Sequence, residues 1–79
     1  MTNFEKDFLY FLKDKTKFQY IMRDTDQTLW ALPKPKAFKP EDGAICLKDI
    51  MGLNLTKEIR VSRASYSIKL LVKKLQKNN

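Results

Sequence analysis

Ser62 to Lys77 reads SRASYSIKLLVKKLQK, and the reading of this stretch decides how the chain is organised. Its spacing predicts an amphipathic helix. Ser62 suits the N-cap, where its hydroxyl accepts from the free N–H groups of the first turn. Val61 and Tyr66 stand at the hydrophobic-staple positions. At about 100° per residue, Ala64, Ile68, Leu71, Val72 and Leu75 fall on one arc. Arg63, Lys69, Lys73, Lys74 and Lys77 fall on the other side, with Tyr66 and one apolar exception, Leu70. One face is expected to be core and the other a cationic strip.

Charge follows the same division. From Ile59 onward there are six basic residues (Arg60, Arg63, Lys69, Lys73, Lys74, Lys77) and no acid. Of the formal net charge of +7, +6 therefore lies in the last 21 residues. Cationic charge concentrated on one helix face is an electrostatic footprint for a polyanion.

Seventy-nine residues make a single domain, residues 1–79, with a small core. Hydrophobic residues are 43% of the chain, too many for a disordered one. The single cysteine, Cys46, allows no internal disulfide, which fits a reducing compartment. No apolar run approaches the length of a membrane span. The charged start, MTNFEKDF, lacks the apolar region of a signal peptide. A soluble cytoplasmic protein is expected, with no membrane partner.

Upstream, Thr2 to about Lys15 predicts a first helix. Thr2 and Glu5 have capping-box spacing. Phe4, Phe8, Phe11 and Leu12 share its apolar face, with Leu9 at its edge, and Lys6, Asp7, Lys13 and Asp14 lie mostly opposite. Phe18–Arg23 and Thr28–Leu32 are rich in strand formers, and Asp24-Thr25-Asp26-Gln27 between them has turn chemistry. They predict a hairpin; the competing reading continues the first helix through Met22. Trp30 is expected to pack on the hairpin.

PKPKAFKP, residues 33–40, excludes helix by its three prolines. It reads as a loop pinned by Phe38. Its Lys34 and Lys36 could also lie along a phosphate backbone. Glu41-Asp42-Gly43 predicts a turn leading into a short helix, Ala44 to Met51, stopped by Gly52. Cys46 would be a buried thiol within it. Asn54–Val61 reads as an extended segment, with a helical turn capped by Thr56 as the alternative.

Catalytic signals are absent. There is no histidine, and two glycines leave no Gly-rich phosphate cradle. No cysteines are spaced for a metal. The acidic pairs Asp24/Asp26 and Glu41/Asp42 read as turn and cap residues. A non-enzymatic protein without metal or cofactor is expected.

LKDIMGL, residues 47–53, followed by VSRASYSIKLLVKKL, residues 61–75, resembles the DNA-reading half of helix-turn-helix regulators. The likeness is a short helix ending at Gly52, then Val61-Ser62-Arg63-Ala64-Ser65 opening a longer one. Nine residues separate Gly52 from Ser62, where the motif's turn takes about three or four. The resemblance implies that Arg63, Ser65, Tyr66 and Lys69 face bases, Arg by bidentate bonds to guanine. It also implies a wing-like part for the hairpin.

The expected fold is α+β: helix, β-hairpin, short helix, extended segment, long C-terminal helix. The expected function is a small regulatory nucleic-acid-binding protein, with DNA favoured over RNA. Its binding residues are Arg60, Arg63, Ser65, Tyr66, Lys69, Lys73, Lys74 and Lys77, with Lys34 and Lys36 of the loop. The alternative is a protein-interaction module or inhibitor docking on a larger partner. The surplus of phenylalanines also predicts an apolar patch that a homodimer would cover.

Overall fold

The computed structural model describes residues 3–47, 59 and 62–76. The fold is α+β. Helix α1 spans Asn3–Lys15 and leads into an antiparallel hairpin, β1 Tyr20–Arg23 and β2 Leu29–Leu32. A short strand β3, Ile45–Cys46, follows, then β4, Ser62–Ser67, and helix α2, Ile68–Gln76. The described strands form one sheet in the order β3-β2-β1-β4. Both neighbours of β1 are antiparallel to it, and β3 is antiparallel to β2.

The hairpin lies where its strand-forming residues placed it. Ile21 stands opposite Ala31 and Met22 opposite Trp30. The Asp24 carbonyl accepts from Gln27 N–H at 2.8 Å, and the Asp24 and Asp26 carboxylates accept from the backbone N–H groups of Thr25 and Thr28. Gln27 takes the left-handed conformation, φ 72°, that reverses the chain. The side chain of Arg23, buried at the hairpin's end, donates to the carbonyls of Gln27 and Ile59.

Alternation along the strands builds two clusters. On one face Ile21, Leu29 and Ala31 join Leu9 and Leu12 of α1, Ile68, Leu71 and Val72 of α2, and Leu47 and Ile59. On the other, Met22 and Leu32 pack with Ala44, Tyr20, Trp30 and Phe38. Phe38 thus pins the proline loop to the sheet, and Trp30 packs on the hairpin while its indole N–H donates to Thr28.

Helix α1 is rotated from its expected setting. Its buried residues are Glu5, Leu9 and Leu12, whereas Phe4 and Phe11 are exposed and Phe8 is half-buried. Two aliphatic side chains fit against the strand residues and α2, Phe8 packs at the edge of this core, and Phe4 and Phe11 lie outside it. No glycine ends this helix. Thr16 Oγ1 donates to the Leu12 carbonyl at 2.6 Å, and Gln19 Nε2 donates to those of Lys13 and Thr16. These bonds satisfy orphan carbonyls of the last turn.

The largest correction concerns Ser62–Ser67. This segment is a strand, and the C-terminal helix starts at Ile68 and is nine residues long. Tyr66 stands opposite Ile21 and Ser67 opposite Tyr20, so β1 finds its second partner here. Serines compete with helix by bonding nearby backbone, and tyrosine favours the pleated sheet. The N-cap therefore moves to Ser67, whose Oγ accepts from Leu70 N–H at 3.4 Å.

Residues 45–46 are likewise strand rather than the opening of a short helix. Leu47 donates its N–H to the Leu29 carbonyl, which extends the pairing to β2. The Glu41-Asp42-Gly43 turn is a 3-10 turn, Pro40–Asp42, closed by Gly43 at φ 100°. Residues 48–51 of the expected short helix lie outside the described residues. So does the expected extended segment 54–61, apart from the buried Ile59.

Candidate nucleic-acid interface

Helix α2 divides cleanly. Ile68, Leu71 and Val72, at spacings of three and four, are buried in the core shared with α1. Lys69, Leu70, Lys73 and Lys74 are exposed. Because burial of the first set fixes the helix rotation, the three lysines are held outward. Lys69 and Lys73 stand one turn apart, about 6 Å along the axis.

The other expected binding residues are dispersed. Ser65 and Tyr66 are half-buried on β4, with Tyr66 packed against the core. Arg63 belongs to β4 rather than to the helix, so it does not continue the row of Lys69 and Lys73. Arg60 and Lys77 lie outside the described residues. Lys34 and Lys36 are exposed in the turn after β2, beside a cavity of about 370 Å³ that Pro33, Ala37 and Asp42 also line. That loop packs through Phe38 on the sheet face opposite α2, so its lysines form a separate group.

A second cavity brings several of the expected residues together. Ser65, Tyr66 and Ser67 of β4 and Leu70, Leu71 and Lys74 of α2 line a groove of about 300 Å³. A purely helical reading of the segment does not single out Leu70 and Ser67. One signal was available: Ser67 directly precedes the unbroken helical pattern of residues 68–76, and Ser65 and Ser67 alternate with Ala64 and Tyr66 as strand residues do.

Among the described residues, no three His, Cys, Asp or Glu side chains are grouped to hold a metal ion. Among them too, no helix is long and apolar enough to cross a membrane. Cys46 is half-buried with a free thiol, on β3 opposite Trp30. No protein-family model matches the chain, and no curated protein sequence or solved structure does.

Proposed function

We propose that this chain is a small non-enzymatic regulatory protein that binds nucleic acid, DNA in the first place, through the outer face of α2. The observation that supports it is the joint exposure of Lys69, Lys73 and Lys74 on a helix whose other side is core. The 21 residues around them carry six cations and no acid. Lys69 and Lys73, about 6 Å apart along α2, match about one step between successive phosphates of a strand, so each can meet its own phosphate. Each neutralised phosphate releases a counterion, which supplies the affinity.

In this reading α2 tracks the backbone. The base contacts implied by the helix-turn-helix resemblance do not carry over as they stand, since Ser65 and Tyr66 are on a strand. The test is titration of the full chain against duplex DNA, RNA and single strands over a salt series. Binding whose logarithm falls linearly with log salt, by roughly 0.7 to 0.9 per phosphate engaged, supports the proposal. No binding at low salt removes it.

One observation favours a second reading, a protein-docking module. Phe4 and Phe11 are 48% and 52% exposed on α1, with Phe8 between them. The rings of Phe4 and Phe8 lie 6.3 Å apart and those of Phe8 and Phe11 6.5 Å apart. Such a stripe is the kind of apolar surface that a second copy or a larger partner covers. Replacement of Phe4 and Phe11 by Ser should abolish self-association in sedimentation or capture of a partner. A wild-type chain that stays monomeric at high concentration and retains no partner rules this reading out.

A further inference from the structure

We propose that the groove between β4 and α2 receives an unpaired nucleobase, so that the preferred ligand is a single strand rather than a duplex. This rests on the nucleic-acid reading above. The groove's volume, about 300 Å³, is at the small end of ligand clefts and suits one nucleotide. Tyr66, Leu70 and Leu71 contribute its apolar lining. Leu70 is 66% exposed, the most exposed large apolar side chain described. An aromatic ring such as that of Tyr66 is what a base face stacks on, and the leucines offer apolar contact beside it.

Polar groups stand where a nucleotide needs them. Ser65 and Ser67 also line the groove, and the Ser67 hydroxyl, at the start of α2, can bond the edge of a base. Ser67 Oγ already accepts from Leu70 N–H, which leaves its hydroxyl hydrogen to donate outward. Lys74 lines the same groove and is exposed, so its ammonium can meet the phosphate of the inserted nucleotide. Lys73, next along α2, continues the cationic path for the flanking phosphates. None of the described lining residues is acidic. The loop cavity is less suited, because Asp42 contributes a carboxylate there. A paired base is stacked within its duplex and cannot enter a cleft of this kind, whereas an unpaired base can.

The experiment compares three probes on the intact chain: oligothymidylate, an abasic strand of equal length and charge, and a duplex of that length. Oligothymidylate is expected to bind about fivefold to a hundredfold tighter than the abasic strand. Leu70→Ser, at an exposed position, should keep the thermal melt and remove most of that difference while abasic binding stays unchanged. Equal affinity for thymidylate and abasic strands overturns the groove assignment and leaves the basic face of α2 standing. Preference for the duplex, or an equal loss on both strands in Leu70→Ser, also overturns it. Absence of binding to all three at low salt overturns the nucleic-acid reading itself, and the groove with it.

Discussion

The carbonyl of Gln19 accepts the N–H of Ile68 at 3.0 Å, and this bond marks where β4 ends and α2 begins. Gln19 also donates its own N–H to the Leu32 carbonyl. Its side chain closes the end of α1 through the carbonyls of Lys13 and Thr16. One residue before β1 thus joins the first helix, the hairpin and the start of the last helix.

Gln19→Ala is expected to cost about 1–2 kcal/mol, because two side-chain hydrogen bonds are lost at a half-buried helix end. Denaturant unfolding followed by circular dichroism measures it. A change within a few tenths of a kcal/mol would show that water replaces the amide without loss.

Leu71 is 6% exposed within the cluster that joins α2 to α1 and the sheet. Leu71→Ala should cost about 2–4 kcal/mol through lost transfer energy and the cavity left behind. In so small a domain that lowers the melting temperature by many degrees. A loss below about 0.5 kcal/mol, the level of ordinary surface changes, would mean that α2 is not docked on the core.

The two left-handed positions should respond in opposite directions. Gln27 holds φ 72° with a side chain, so Gln27→Gly should stabilise by about 0.5–1 kcal/mol. Gly43 holds φ 100°, and an added Cβ would lie 3.2 Å from Cγ of Pro33. Gly43→Ala should therefore destabilise by about 1–2 kcal/mol. Paired thermal melts decide both, and a shift of the same sign in the two variants would contradict the backbone argument.

Replacing Lys69 and Lys73 together by Gln should leave stability within about 0.5 kcal/mol of wild type, since both are exposed. Polyanion affinity should fall several-fold, and the salt slope should flatten by roughly 1.5 to 2 units. A folded double variant with unchanged affinity and slope would transfer the claim to the loop of Lys34 and Lys36 or to a protein partner.

Local patterns in the sequence determined the α+β class, the first helix, the hairpin with its Asp-rich turn, and the partition of Ile68, Leu71 and Val72 from Lys69, Lys73 and Lys74. Each of these rests on periodicity or turn chemistry within a few residues, which local physics decides. The tertiary structure decided three other matters. Ser62–Ser67 became a strand because β1 had an open edge that Tyr66 and Ser67 could pair with, and residues 45–46 joined β2 on the other side. Helix α1 kept Leu12 inward but brought Leu9 from the edge of its apolar face to the centre, and left Phe4 and Phe11 outside, because α2 and the strand residues set the space available. The groove beside Leu70 exists only because a strand, and not another turn of helix, precedes Ile68. Strand pairing joins residues more than forty positions apart, and helical periodicity read within one segment carries no record of such a partner.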